Sequence, residues 1–247
     1  TLAITVGSFI RINGNLAFEQ SSTSVTLGNG RVVNVDLLTV SATGVTGFAG
    51  VHAGTTNAQG VNLADVKFAF AIMSEQGAGT RQWVALQGTA ASASTAGDQR
   101  LSINGDTLLM RVNQAAADGT VVDFAARELV VVTGPTASQT INLAASEGEG
   151  TRVSGNLALT AGDFFRVAGA FALDRSVKQV VLANGDQLKV NAVTIGAKGV
   201  TTFAGLNPGS ASAVGITLAD TGFALAMLGD QSDMTRTWIA LTATSGA

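Results

Sequence analysis

The chain has 247 residues, of which 46% are hydrophobic and 13% are charged, and its net charge is −3 with a pI near 5.1. This composition excludes an intrinsically disordered chain, because such chains are rich in charge and poor in apolar residues. The absence of cysteine excludes a disulfide framework, and an acidic balance without a basic run argues against a nucleic-acid partner.

The first predicted elements are β-strands joined by hairpins. In residues 10–19, IRINGNLAFE, apolar and polar residues alternate with the period of two that is typical of a strand. Asn-Gly and Asp-Gly pairs, which favour tight hairpin turns, recur between such stretches. They lie at residues 13–14, 29–30, 104–105, 118–119 and 184–185.

The stretch 61–73 has one face of large residues and one of small residues. Phe68, Phe70 and Ile72 share the first face, and Ala69 and Ala71 share the second. This pattern predicts a strand that is buried on both sides, with Phe68 in a core and another backbone layer close behind the alanines.

The central part of the chain, residues 101–132, is also strand-like, and only the run 123–127 suggests a turn of helix. We therefore predict an all-β fold, built as a repetitive β-solenoid or a stacked β-sheet array whose layers leave few edges. Tandem β-sandwich domains are the alternative, because the strand-like runs also recur at the spacing typical of sandwiches.

The chain contains an internal repeat. Residues 68–86 read FAFAIMSEQGAGTRQWVAL, and residues 223–241 read FALAMLGDQSDMTRTWIAL. The offset between them is 155 residues. At this offset, the chain aligns with itself without a gap from residue 2 to about residue 89. The predicted organisation is a first copy at 1–92, the remainder of the period at 93–155, and a second, partial copy at 156–247.

A second copy that covers only part of the period suggests a window on a longer array of repeats; the alternative is a two-domain protein born of duplication. In an array, we expect the surface near Thr1 to meet the end of a preceding period. The residues beyond Ala247 would resemble Ser92 onward. Such head-to-tail contacts demand the same step between successive units.

Three polar or aromatic positions are kept between the copies and are the candidate site residues. A carboxylate and a guanidinium could form a pair that fixes strand register, and the indole could cover a junction between layers. The functional alternatives are a ligand clamp for the charged pair and a sugar-stacking platform for an indole on the more exposed face. The positions are Asp65, Arg81 and Trp83, which recur as Asp220, Arg236 and Trp238.

No constellation of residues predicts catalysis or a cofactor. The single histidine, His52, aligns with Asn207, so this position does not require an imidazole. The acidic loops 146–149 and 229–233 could offer oxygens to calcium, but neither matches a calcium-loop pattern. We predict no catalytic, cofactor-binding or metal-binding residue, and calcium binding has no motif to support it.

Several phrases together resemble a recurrent segment of giant repetitive bacterial surface or secreted proteins, of the adhesin-like or biofilm-matrix type. The resemblance covers essentially the whole chain and implies a β-rich, extracellular, non-enzymatic scaffold. The calcium-binding nonapeptide Gly-Gly-x-Gly-x-Asp of many such proteins is absent, so calcium binding is not implied. The phrases are VDLLTVSATGVTGFAG, GVNLADVKFAFAIMSEQGAGTRQWVAL, DGTVVDFAA and LTAGDFFRVAGAFAL.

We therefore expect a structural repeat module of a large extracellular or cell-surface protein that forms a fibre, matrix or scaffold. Its partners would be adjacent repeats or copies of itself, with no nucleic acid. No membrane span is expected, because no stretch reaches 18 uninterrupted apolar residues. The alternative is an adhesin-type module that binds a carbohydrate or a surface, and an enzyme is not expected.

Overall fold

The computed structural model describes residues 2–6, 10–77, 79–97, 100–134 and 137–245. Thr1 and Ala247, near which the head-to-tail contacts are expected, lie outside the described residues. The only helical element in the described ranges is a single 3-10 turn, Ala145–Glu147. The strands are β1 Leu2–Val6, β2 Ile10–Thr26, β3 Val32–Val51, β4 Gln59–Glu75, β5 Gln82–Ala96, β6 Leu101–Gln114, β7 Leu129–Gly134, β8 Ala137–Ile141, β9 Gly150–Ala161, β10 Phe165–Val181, β11 Gln187–Leu206, β12 Val214–Asp230 and β13 Thr237–Ser245.

Eleven of these strands form one antiparallel sheet. Its order follows the chain from β1 to β6 and then from β9 to β13, with β1 and β13 at the two edges. β7 and β8 leave the sheet and pair with each other as a hairpin. We call residues 115–149, which contain this hairpin and the loops on either side of it, the connector.

The predicted all-β class is confirmed. The finer prediction of a solenoid or a stacked array is not confirmed, and neither is the tandem-sandwich alternative. Neighbouring strands of the described residues pair antiparallel in one continuous meander. Tight turns such as Asn29-Gly30, where Gly30 has a φ of 81°, reverse the chain and so place consecutive strands side by side.

Two of the predicted hairpin turns are wrong, because they lie inside strands. Asn13-Gly14 is within β2 and Asn104-Gly105 is within β6. The pairing of β2 with β3 shifts between Asn13 and Asn15, as in a β-bulge. A Cβ on Gly14 would lie 2.6 Å from Val45 Cγ2, so this glycine serves close strand contact and not a turn. The run 123–127 forms a turn without a helix.

The main core lies between the connector and the small-residue face of β2–β5. Trp83, Met73 and Ile141 in this core are completely buried. One-methyl side chains on β4 and β5 let the second layer approach the sheet closely, so the small residues mark the covered face. The sheet contributes Val25, Leu27, Val33, Val35, Leu37, Ala69, Ala71, Met73, Trp83 and Ala85, and the connector contributes Ala116, Val122, Phe124, Val131, Ile141 and Leu143.

The prediction that Phe68 is a core residue is wrong, and the same holds for its equivalent at the 155-residue offset, Phe223. Both side chains are only half-buried, whereas Ala69 and Ala71 beside Phe68 are fully buried. The expected layer behind the alanines exists, and it is the connector. The opposite, large-residue face of the sheet carries strongly exposed side chains such as Phe18, at 63% exposure.

The strands follow the 155-residue offset found in the sequence. β10, β11 and β12 begin and end 155 residues after β2, β3 and β4, and β13 begins 155 residues after β5. The turn at His52 also has an equivalent at Asn207, and both residues have a φ of 55°. The offset thus relates backbone conformation as well as residue type.

Removing a core side chain from the connector hairpin should destabilise the fold strongly. Ile141→Ala should lower the free energy of unfolding by about 2–5 kcal/mol, because Ile141 is fully buried against the sheet. Val130→Ala is the matched control. Val130 lies in the same hairpin but is 59% exposed, so its truncation should have little effect. Urea unfolding measures both; equal losses would contradict the packing described above.

Candidate functional site

Arg81 is held by two acids at the end of the sheet where β4 turns into β5. Its Nε and Nη2 donate to the two carboxylate oxygens of Glu75 at 2.7 Å and 2.5 Å. Nη1 lies 3.4 Å from Asp118 Oδ2, which belongs to the connector. The two-point contact with Glu75 fixes the plane of the guanidinium, and the Asp118 contact ties the sheet to the connector.

The Arg81 guanidinium also lies over the Trp83 ring, 5.3 Å from its centroid. Trp83 is fully buried, and its Nε1 donates to the Thr120 carbonyl oxygen of the connector at 3.0 Å. The indole therefore lies on the covered face and not on the more exposed one, where a sugar platform would need it. It fills the junction between the sheet and the connector.

The second copy keeps the ion pair and the ring contact, but among the described residues it has neither the two-point hydrogen bond nor a contact with the connector. Arg236 Nη1 lies 3.3 Å from Asp230 Oδ2, and its guanidinium lies 5.4 Å from the centroid of the Trp238 ring. The Arg236 side chain is 42% exposed, whereas that of Arg81 is 14% exposed. Trp238 is only half-buried.

Backbone and amide contacts around these arginines also coincide at the 155-residue offset. The amide nitrogen of Glu75 donates to the Arg81 carbonyl oxygen at 2.9 Å, and that of Asp230 donates to the Arg236 carbonyl oxygen at 3.0 Å. Each acid is followed by a glutamine whose amide donates to a side chain of the preceding strand. These bonds are Gln76 to Asp36 at 2.7 Å and Gln231 to Asn191 at 3.0 Å.

Sequence reasoning missed the acids that pair with the two arginines. Glu75 and Asp230 occupy equivalent positions six residues before their arginines, so a carboxylate kept as Glu or Asp was the available signal. The hydrogen bonds from Arg81 lower the pKa of Glu75. The pKa of Asp230 is lowered first by the hydrogen bond from the Ser232 side chain, with Arg236 contributing a smaller effect.

Asp65 and Asp220 lie apart from these arginines. Asp65 has a φ of 46° and Asp220 a φ of 49°, so both adopt the left-handed conformation in mid-strand. Asp tolerates this conformation better than most residues do, which gives its retention a backbone reason. The Asp65 side chain forms an exposed ion pair with Lys67 at 3.2 Å. The structure does not bring Asp65 together with Arg81.

A second charged cluster fastens the far end of the connector to the sheet. Glu147, at the end of the 3-10 turn, accepts from Arg111 of β6 at 2.7 Å and from Arg152 of β9 at 3.1 Å. Arg152 also donates to Asp174 of β10 at 2.7 Å. Part of the predicted oxygen-bearing loop 146–149 is thus engaged with two arginines.

These two charged clusters hold the connector against the sheet. The described residues contain no group of three or more His, Cys, Asp or Glu side chains that could hold a metal ion. His52 lies in an exposed turn, where Thr55 donates to its carbonyl oxygen at 2.9 Å. The buried contacts are those that connect the sheet to the connector.

Comparison with protein-family models, with curated proteins and with solved structures finds no match to this chain. Within the described part of the chain, no helix has the length and apolarity needed to cross a membrane.

The Glu75–Arg81 contact should make stability depend on acidic pH. The pKa of Glu75 is lowered in the fold, so its ionised carboxylate stabilises the folded state. This stabilisation is fully present above the ordinary glutamate pKa of about 4.3 and is lost as the pH falls through the folded-state pKa. Glu75→Gln should lower the free energy of unfolding at pH 7 and flatten its decline below about pH 4.3. Urea unfolding across pH 2–7 measures this, with the exposed Glu19→Gln as the control. An unchanged slope in Glu75→Gln would rule out the contribution.

Proposed function

We propose that the chain is a structural repeat module of a large extracellular bacterial protein that forms a fibre, matrix or cell-surface scaffold. In this proposal the array grows across the sheet, from strand to strand. Each 155-residue period adds the six strands of types β9, β2, β3, β4, β5 and β6 to the sheet, and its connector covers one face. The extracellular location comes from the resemblance to giant bacterial surface proteins.

The observation that carries the proposal is the equivalence of the sheet edges to strands that are paired inside the sheet. β13 corresponds to β5, and β1 corresponds to residues 157–161 of β9, at the 155-residue offset. Within the sheet, β5 and β9 pair with the two sides of β6. Either edge therefore offers the pairing surface that a β6-type strand uses inside the sheet.

Neither edge strand carries the features that block pairing. Natural edge strands are commonly protected by charges, prolines or bulges. The residues of β1, LAITV, and of β13, TWIALTATS, include no charge and no proline. Ile239 and Leu241 on β13 are 75% and 68% exposed. These features favour continuation of the sheet over a free end.

The alternative of a carbohydrate-binding module lacks a specific observation in its favour. A sugar platform needs an accessible indole face with polar partners around it. Trp83 is buried beneath the connector, and the guanidinium of Arg236 lies over the ring of Trp238.

Tandem copies of residues 1–155 should form one growing sheet. Strands in a sheet lie about 4.8 Å apart, so each period of six strands should lengthen the particle by roughly 29 Å. Small-angle scattering of arrays with one, two and three periods would measure this step. We expect the same increment for each added period, with monomeric arrays.

A matched pair of substitutions in β6 tests whether the step depends on strand pairing. Met110 lies in the middle of β6, between Gly88 of β5 and Val153 of β9. Met110→Pro removes a ladder hydrogen bond and should abolish the constant step, whereas Met110→Ala should preserve it. Loosely tethered globules in the unsubstituted arrays, with no constant increment, would contradict the proposed scaffold.

A further inference from the structure

The second copy has an apolar face that matches the core face of the first. The ten sheet residues of the core have ten apolar equivalents at the 155-residue offset. Only Val190 and Ala192 of these are buried, and the other eight are half-buried or exposed. We call this set the second face: Val180, Leu182, Leu188, Val190, Ala192, Ala224, Ala226, Leu228, Trp238 and Ala240.

The occupant of the matching face in the first copy is visible. There the connector contributes Phe124, Val131, Ile141 and Leu143 to the core, each nearly or completely buried. It also supplies polar contacts to the sheet, including the Thr120 carbonyl oxygen that accepts from Trp83. The same chemistry would satisfy the second face.

Polar groups at the second face are placed for the same partner. The described residues offer the Trp238 Nε1 no acceptor, whereas the equivalent atom of Trp83 donates to the connector backbone. Arg236 retains its acid Asp230 but is three times as exposed as Arg81, which also contacts Asp118 of the connector. An acid at the Asp118 position and a carbonyl at the Thr120 position would complete both contacts.

The connector of the first copy is not free to cover the second face. β7 contacts β2 and β3, and β8 contacts β4 and β5. Its other end is held by Glu147 between Arg111 and Arg152. Any cover on the second face would therefore have to come from another segment.

We propose that the second face is the docking surface for a second connector-type segment, a polypeptide with the chemistry of residues 115–149. The inference deepens the proposed function and rests on its repeat geometry. The partner presents a buried aromatic residue at the Phe124 position and aliphatic side chains at the Val131, Ile141 and Leu143 positions. It also presents an acid to Arg236.

The test extends the chain beyond Ala247 by a second copy of residues 93–155, which continues the period in phase. The added copy contains no tryptophan, so emission still comes only from Trp83 and Trp238. Acrylamide quenching of the 247-residue chain should show an accessible component from Trp238, and the Trp238→Phe variant should lack it. In the extended chain this component should be lost, because the added connector covers the indole.

A matched control carries Phe124→Asp and Ile141→Asp in the added copy only, and it should retain the accessible component. Persistent quenching in the unsubstituted extended chain would overturn the docking surface. Loss of quenching in the control as well would also overturn it, because the burial would not come from connector packing.

Hydrogen exchange separates this inference from the proposed scaffold. In the extended chain, β13 amides that are protected from exchange while Trp238 stays accessible to acrylamide would mean that the sheet continues and that the docking inference is wrong. A buried Trp238 in extended chains, together with tandem arrays that lack a constant step, would support the docking surface and contradict the scaffold. If the extended chain dimerises, burial of Trp238 supports the docking surface when the two Asp substitutions abolish that burial. Burial that persists in the Asp variant would overturn it.

Discussion

The structure depends on the packing of one connector against the small-residue face of four strands. The alanines of β4 and β5 allow the second layer to approach, and Trp83 fills the space between the layers. A single open sheet exposes both of its faces to water and is poorly stable alone. Burial of one face against the connector therefore supplies hydrophobic stabilisation. Charged contacts then fix the position of the cover. Arg81 ties one end of the connector to the sheet, and Glu147 ties the other.

The same principle explains why the two copies differ in environment while they agree in backbone geometry. The arginine stays close to its acid and over the ring of the tryptophan in the second copy, because these contacts lie within the sheet. The exposure of these side chains differs, because the connector covers the first copy and not the second. The left-handed backbone conformation of Asp65 and Asp220 likewise occurs in both copies.

Strand alternation predicted the all-β class, whereas the contact expected between Asp65 and Arg81 does not form. Burial was predicted on both faces of β4. The predicted layer behind the alanines exists, whereas the opposite face with Phe68 is only half-buried, because large side chains usually mark a core but here they do not. Local pattern does not specify which face a distant segment will cover. The Arg81 partner was missed for a related reason: Glu75 lies across a turn, and the pairing depends on the path of that turn. The Asn13-Gly14 pair is typical of a hairpin turn, but pairing with the neighbouring strand β3 makes it a bulge within β2.

The central claim is that the connector is the main source of local stability and that it covers β2–β5 and not their equivalents β10–β13. Residue-resolved hydrogen exchange of the 247-residue chain tests this claim most directly, because local opening reports local free energy. The account predicts that amides of β4 and β5 exchange at least about tenfold more slowly than their equivalents in β12 and β13, a difference of about 1.4 kcal/mol or more. Equal protection of the two sets of strands would contradict it.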